Sequence, residues 1–198
     1  YGMTEIGMAI SNPYTGERRA GHIGKPLPSV KVRLVDEKDQ LVNSGQPGEI
    51  QIKGPGVFIK YWGKDEATKK AFTPDGWFKT GDIALVEDEY YRILGRDSID
   101  IIKSGGYKLS ALEIEGKLLG HPAIAEVAVL GIEDRTWGES VAAVVVLREG
   151  QTLNIDTLKT WCEGKLSSYK LPKTLVITPE LPRNAMGKVV KPKLKAFF

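Results

Sequence analysis

Cysteine and histidine are scarce in this sequence, and each scarcity excludes a class of protein. The 198 residues include one cysteine, Cys162, which cannot form an intramolecular disulfide, so we expect a reducing compartment. The two histidines, His22 and His121, have no cysteine or carboxylate at metal-ligand spacing. These absences exclude a disulfide-stapled scaffold and a histidine-based metal centre.

Long apolar runs and a leader segment are also missing. No run approaches the roughly 20 apolar residues of a membrane span, so we expect no membrane span. The first residues, "YGMTEIGMAI", lack the basic start of a signal peptide and an initiator methionine. We therefore expect a piece of a longer intracellular protein, cytoplasmic or mitochondrial, and any targeting segment would lie outside this sequence.

Positive charge is concentrated in the tail. From Lys165 onward, eight lysine and arginine residues face one acidic residue, Glu180, which gives a local charge of +7 against +3 for the whole chain. Such a tail could bind a polyphosphate, a nucleic acid or an acidic partner, or be a solvated surface. The solvated surface is the simpler interpretation, and we expect no nucleic-acid partner.

The sequence pattern changes near Gly95. Before it, alternating apolar runs such as "VKVRLV" and "GEIQIKG" predict β-strands, with one short helix that has Asp65 as its N-cap. After it, capping residues at Ser110 and Asn154 predict two helices among apolar strands, and the second helix is expected to include Gly164. We therefore predict an α+β protein with a β-rich domain over residues 1–95 and a small α+β domain over residues 96–198.

Four short stretches carry groups suited to a nucleotide. Glycine lets a backbone approach a phosphate or sugar closely, while hydroxyl, carboxylate and lysine groups bind phosphate, ribose or Mg²⁺. Each stretch alone is also ordinary turn chemistry, but together they predict a nucleotide site. The stretches are "YGMTE" (1–5), "KTGD" (79–82), "IKSGGYK" (102–108) and "LPRNAMGK" (181–188).

These stretches belong to an ordered set that resembles the later core motifs of the adenylate-forming enzymes, the superfamily of acyl-CoA synthetases, firefly luciferase and peptide-synthetase adenylation domains. Within it, the chain is most similar to the malonate–CoA ligases. The motifs are "YGMTE", "GHIGKPLP", "GEIQIKGPGVFIKYW", "DGWFKTGDIA", "GRDSIDIIKSGGYKLSALEIE" and "LPRNAMGKV".

The resemblance implies the β-rich C-terminal end of a large ATP- and acyl-binding domain, followed by a small mobile α+β C-terminal domain. The family's phosphate loop, which ends in Pro-Lys-Gly, has no counterpart here, so we expect the chain alone to be inactive and much of the acyl pocket to lie upstream. The implied substrates and cofactors are a small carboxylic acid, ATP, Mg²⁺ and CoA. The implied partner is the missing N-terminal part of the same enzyme.

The resemblance also implies roles for individual residues. Lys188 would bridge the substrate carboxylate and the adenylate oxygens, and Lys103 would act on the adenylate after the small domain has rotated. Thr4 would contact phosphate, and Glu5 would ligate Mg²⁺ through ATP. The other implied contacts are Tyr1, Gly2 and Met3 at the adenine, Asp82 and Arg96 at the ribose, and Gly105 and Gly106 along the pantetheine tunnel. The remaining tail lysines, Lys191, Lys193 and Lys195, are expected to stay outside.

Several alternatives remain open. The acid could be malonate, a related short dicarboxylate, or a fatty or aromatic acid, and the acyl group could pass to a carrier protein instead of CoA. The third alternative is a tail that binds nucleic acid or an acidic partner. One extra residue separates Arg96 from Asp100 compared with the family pattern, so the hinge is either Asp97 or Ser98.

Overall fold

The computed structural model describes all residues from 1 to 198 and divides them into two compact units. The first unit is Tyr1–Asp97 and the second is Ser98–Phe198. The division falls two residues after the boundary that the sequence texture suggests at Gly95. None of the helices has the length and apolar character that a membrane crossing demands.

The first unit consists of strands and one short helix. Strands β5 to β8 form an antiparallel sheet in chain order, whereas β1 pairs with β2 and β3 with β4 in two small ribbons. The predicted β-rich texture is therefore confirmed. The elements are β1 (Gly2–Met3), β2 (Gly7–Met8), β3 (Ile10–Ser11), β4 (Lys25–Pro26), β5 (Lys31–Val35), β6 (Gly48–Lys53), α1 (Asp65–Ala71), β7 (Phe78–Glu87) and β8 (Tyr90–Arg96).

Alternating apolar side chains build the core of this unit. Ile50 and Ile52 of β6 lie opposite Leu34 and Val32 of β5, and both isoleucines are completely buried against Phe78. One local prediction is wrong: the N-cap of α1 is Lys64, and Asp65 is its first helical residue. The carboxylate still lies in the first turn, where it stabilises the positive end of the helix.

The second unit mixes helices and strands as predicted. Its sheet has the order β10-β9-β12-β11, and β13 adds to β12 in parallel. Single turns of 3₁₀-helix follow at Ser168–Lys170 and Lys195–Phe197. The elements are β9 (Ile101–Ser104), β10 (Tyr107–Ser110), α2 (Ala111–Leu118), β11 (Ile124–Asp134), β12 (Gly138–Leu147), α3 (Ile155–Cys162), β13 (Thr174–Ile177) and α4 (Lys191–Leu194).

Both predicted helix starts in the second unit are confirmed. The Ser110 hydroxyl accepts the Glu113 N–H at 3.1 Å, and Asn154 forms a capping box at the start of α3. Cys162 is completely buried at the end of α3, which agrees with a core role. The predicted extension through Gly164 is wrong, because the helix ends at Cys162 and Gly164 has a φ of +72° in the following turn.

The tail is anchored in the second unit by two leucines. Leu181 is 5% exposed and Leu194 is completely buried, and both pack against alanine and valine side chains of β11 and β12. The backbone from 182 to 193 lies between these two anchors along the chain. The tail therefore belongs to the folded core of the unit at both of these points.

Replacing Leu194 with alanine is expected to lower the free energy of unfolding by about 2–5 kcal/mol, because a completely buried leucine loses its contacts and leaves a cavity. Equilibrium urea unfolding of the intact enzyme measures this change. The matched control is Leu112→Ala, since Leu112 is 41% exposed in α2. Equal losses in the two variants would contradict the anchoring role of Leu194.

Candidate functional site

The first five residues form a tight turn at the edge of the first unit. The Met3 carbonyl accepts the Ile6 N–H at 3.1 Å, and the chain reverses through Gly7, whose φ is +61°. A Cβ atom at Gly2 would lie 2.2 Å from the Gly7 carbonyl oxygen. Glycine is therefore required at position 2 by the close approach of the two strands, and the turn presents the exposed Thr4.

Glu5 is held at the end of this turn by an aromatic partner. The Tyr61 hydroxyl donates to Glu5 Oε1 at 3.0 Å, and the Phe58 N–H donates to the Glu5 carbonyl at 2.7 Å. Burial, together with this bond to Glu5, raises the pKa of Tyr61. One oxygen of the Glu5 carboxylate remains for a ligand. A single carboxylate fits Mg²⁺ that is shared with phosphate oxygens, since this ion is commonly held by one or two carboxylates and a substrate phosphate.

Asp82 lies at the centre of a polar cluster that joins three predicted site residues. Tyr1 Oη donates to Asp82 Oδ2 at 2.5 Å, and Arg96 Nε donates to Asp82 Oδ1 at 3.1 Å. Asp82 and Arg96 are cross-strand partners in β7 and β8, and Asp82 is 8% exposed. Burial and the bond to Asp82 raise the pKa of Tyr1 well above its usual range, so Tyr1 stays a neutral donor. The Asp82 carboxylate is therefore oriented from two sides, by Tyr1 before β1 and by Arg96 on the neighbouring strand.

The backbone before Asp82 depends on a carboxylate of the neighbouring strand, Glu49 of β6. Gly81 has a φ of +73°, and its N–H donates to Glu49 Oε1 at 2.9 Å. Burial raises the pKa of Glu49, while the hydrogen bond from Gly81 opposes that rise. The Thr80 hydroxyl donates to the Ile50 carbonyl and accepts the Asp82 N–H. The "TGD" stretch is thus fixed by its neighbour β6.

In the second unit, Lys103 lies on a hairpin with a two-residue glycine turn. Gly105 and Gly106 have φ angles of +57° and +81°, which is typical of the type I′ turn between twisted strands. Lys103 lies opposite Lys108, and its N–H donates to Glu139 Oε2 at 2.7 Å. The exposed side chain of Lys103 therefore stands on a backbone that is fixed at both strand edges.

Trp137 explains why the first of these glycines has no side chain. A Cβ atom at Gly105 would lie 2.6 Å from the Trp137 ring, and the Gly105 N–H donates to the Trp137 carbonyl at 2.9 Å. At Gly106 a Cβ atom would meet no neighbour within 4 Å. The sequence gives no sign of this contact, because 32 positions separate Trp137 from Gly105.

Lys188 follows the tip of a second small hairpin. Arg183 and Val189 form a β-bridge at its base, and the Asn184 side-chain oxygen accepts the Met186 and Lys188 N–H groups, both at 3.0 Å. Gly187 has a φ of +79°, a left-handed conformation that glycine adopts without strain. Asn184 thus organises the loop, and Lys188 is presented to solvent.

One tail lysine contradicts the expectation that all three stay outside. Lys193 and Lys195 are exposed, but Lys191 Nζ lies 2.6 Å from Asp100 Oδ1 and 2.7 Å from Glu115 Oε1. The Lys191 side chain is only 11% exposed. The prediction is wrong for Lys191 because two carboxylates from other parts of the chain pair with it. These pairs offset the cost of removing the lysine charge from water.

Two family models match separate parts of the chain. The AMP-binding enzyme family matches residues 1–62, and the AMP-binding enzyme C-terminal domain matches residues 113–188. The first range includes the Tyr1–Glu5 turn, and the second ends on the lysine of the second hairpin. The Tyr1–Glu5 turn and the Lys188 loop therefore lie within matched ranges, whereas Asp82, Arg96 and the Lys103 hairpin lie between them.

The chain is also similar to characterised proteins over nearly its whole length. It is 50% identical to the mitochondrial malonate–CoA ligase of Mus musculus and to the malonate–CoA ligase of Arabidopsis thaliana, each over 98% of the chain. It covers 36% and 33% of those proteins. The crystal structure of ATP-bound MatB from Rhodopseudomonas palustris matches 100% of the chain and 39% of its own length, with a TM-score of 0.89 and 40% identity. The chain thus spans little more than a third of these relatives.

Proposed function

The chain belongs to the adenylate-forming, AMP-binding enzyme superfamily, and from this we propose that it is part of an ATP-dependent acyl-CoA ligase. A carboxylate would attack the α-phosphate of ATP to give an acyl-adenylate and pyrophosphate. The thiol of CoA would then attack the acyl carbon and release AMP. The observation that carries this proposal is the 50% identity to malonate–CoA ligases over 98% of the chain.

The first unit supplies the proposed nucleotide contacts. A carboxylate oxygen accepts more than one hydrogen bond, so Asp82 can accept from the ribose hydroxyls while Tyr1 and Arg96 hold it. The backbone of Gly2 and Met3 would flank the adenine next to the Tyr1 ring, and Arg96 would reach the ribose from the adjacent strand. This assignment uses the geometry of the cluster without any rearrangement of its hydrogen bonds.

The Thr4–Glu5 turn supplies the proposed phosphate and metal contacts. The exposed Thr4 hydroxyl would donate to a phosphate oxygen, and Glu5 would hold Mg²⁺ jointly with the nucleotide. When bound, Mg²⁺ neutralises phosphate charge and stabilises charge that develops at phosphorus. Tyr61 keeps the Glu5 carboxylate oriented. The turn therefore places the Thr4 hydroxyl, which would donate to phosphate, beside the Glu5 carboxylate, which would hold Mg²⁺.

Lys188 would serve the first half-reaction. Adenylate formation brings two anions together, and a positioned cation stabilises the transition state more than a mobile one. The Asn184-centred loop fixes the backbone of Lys188, while its side chain stays free to reach the carboxylate and phosphate oxygens. We assign Lys188 to the bridge between these two groups.

Lys103 and the glycine turn would serve the second half-reaction. Lys103 would contact the adenylate when the second unit turns this hairpin towards it, and the missing side chain at Gly106 would leave room for the pantetheine arm of CoA. The Trp137 ring fills the corresponding space at Gly105, so the expectation that both glycines leave room for this arm is kept for Gly106 only. The open space beside Gly106 supports this assignment. In this account, the two hairpins of one unit act in turn.

We further propose malonate as the acid, because the first relatives named above act on malonate by their names. The mitochondrial location in the animal relative's name favours mitochondria over the cytoplasm. The test is AMP release by the intact enzyme with ATP, Mg²⁺ and CoA, across malonate, methylmalonate, acetate, a medium-chain fatty acid and an aromatic acid. Preference for malonate supports the proposal. Preference for a monocarboxylate contradicts the substrate, and transfer only to a carrier protein contradicts the acceptor.

Replacing Asp82 with asparagine is expected to raise the KM for ATP by about 10-fold or more with a smaller change in kcat, because a hydrogen-bond acceptor for the ribose is lost while the residue keeps its size. Steady-state AMP release across ATP concentrations measures this change. The matched control is Asp88→Asn, since the side chain of Asp88 is 84% exposed and pairs with Arg19. An unchanged KM in the Asp82 variant would remove Asp82 from the ribose site.

A further inference from the structure

Lys191 connects three separate segments of the second unit. Its Nζ lies 2.6 Å from Asp100 Oδ1, on the segment before β9, and 2.7 Å from Glu115 Oε1, on α2. Glu115 Oε1 also accepts the Val129 N–H at 2.7 Å from β11. The Asp100 carbonyl accepts the Ala111 N–H at 2.7 Å. One lysine therefore ties the start of α4 to the strand, helix and sheet around it.

This cluster has one positive charge, two negative charges and little access to water. The side chains of Lys191, Asp100 and Glu115 are 11%, 14% and 17% exposed. Burial raises the pKa of Glu115, whereas Lys191 opposes the rise. Removing the cation would leave two carboxylates close together in a poorly solvated place, which strongly destabilises such an arrangement.

The cluster lies at the base of both lysine-bearing hairpins. Lys191 comes three residues after Lys188, and the intervening Val190 N–H donates to the Pro182 carbonyl at 2.8 Å to close the Lys188 loop. Asp100 comes three residues before Lys103, at the start of the other hairpin. The ion pairs thus join the two hairpin bases directly, although the sequence separates them by 91 positions.

We propose that Lys191 is a positioning residue that fixes the Lys188 loop and the Lys103 hairpin in one common frame, that is, in a constant orientation relative to each other. The proposal rests on the half-reactions assigned above to Lys188 and Lys103. With the frame intact, the second unit carries both lysines as one body. Without it, each hairpin samples more orientations, and both half-reactions slow while the nucleotide contacts of the first unit remain.

The test compares Lys191→Met, which removes the charge, with Lys191→Arg, which keeps it, and with Lys193→Met as a control on the exposed side of the same helix. Hydrogen–deuterium exchange in the intact enzyme is expected to accelerate over residues 183–190 and 101–104 in Lys191→Met only. The kcat of adenylate formation and that of thioester formation from preformed adenylate should each fall about 10-fold or more, because small misplacements cost large factors in rate. The KM for ATP should change less than about twofold, and Lys191→Arg should recover part of both rates.

Three outcomes for Lys191→Met would overturn the proposal. Hydrogen–deuterium exchange could be unchanged, only one half-reaction could be lost, or the melting temperature could fall while both half-reaction rates stay intact below it. If Lys191→Met does not fold, Glu115→Gln replaces it, because that variant keeps the ion pair between Lys191 and Asp100. It should slow both half-reactions, but by less than Lys191→Met. Absence of AMP release by the wild-type enzyme with every acid would contradict the proposed function alone, since the exchange comparison still decides whether the frame exists.

Discussion

Replacing Lys188 with alanine in the intact enzyme is expected to slow adenylate formation by about 100-fold or more, because the transition state loses a positioned cation between two anions. Thioester formation from preformed acyl-adenylate should keep most of its rate, since Lys188 is assigned to the first half-reaction only. Pyrophosphate release measures the first step, and CoA consumption with added adenylate measures the second. The exposed position of Lys188 predicts a stability change within about 0.5 kcal/mol.

Lys195→Ala is the matched control for this experiment, because Lys195 is an exposed lysine in the same tail. Its adenylation rate should equal that of the wild type. If the control variant lost as much adenylation as Lys188→Ala, the tail would act through its overall charge, and an acidic partner or a nucleic acid would become the better interpretation.

Replacing Lys103 with alanine is expected to have the converse effect, with thioester formation slowed by about 100-fold and adenylate formation retained. The fold should tolerate the change, because the side chain of Lys103 is exposed. Single-turnover transfer from preformed adenylate to CoA measures the loss.

The matched control is Lys108→Ala, which removes the exposed lysine directly opposite Lys103 in the same hairpin. Equal loss of both half-reactions in the Lys103 and Lys188 variants would remove the assignment of one lysine to each step. It would then favour a single arrangement in which both lysines contact the substrate together.

Local sequence patterns predicted most of the fold. Apolar side chains at every second residue identified the strands around Ile50, and apolar side chains at every third or fourth residue identified the helix after Ser110. Burial of one face of a strand or helix imposes these spacings. The failures are at helix ends. The Lys64 carbonyl accepts the Thr68 N–H, so Lys64 and not Asp65 is the N-cap of α1. The positive φ of Gly164 places it outside α3, which ends at Cys162.

The candidate site was predictable only in its exposed groups. Lys188 and Lys103 stand out through motifs, and the structure puts each on a hairpin with a glycine turn. The residues that support the site do not stand out, because Glu49, Trp137 and the carboxylates around Lys191 contact groups that are far away in the chain. The sequence does not distinguish a lysine that pairs with two buried carboxylates from a solvated lysine, so only the tertiary structure identifies the role of Lys191.

The division after Asp97 has a consequence for recombination between related genes. No hydrophobic cluster shares residues between the two sides of this point, since the core around Ile50 lies before it and the cores around Ile114 and Leu194 lie after it. A breakpoint between Asp97 and Ser98 therefore leaves every core intact in a fusion. Such a junction would let one acyl-CoA ligase receive both lysine-bearing hairpins, with the ion pairs that join them, as a single inherited cassette.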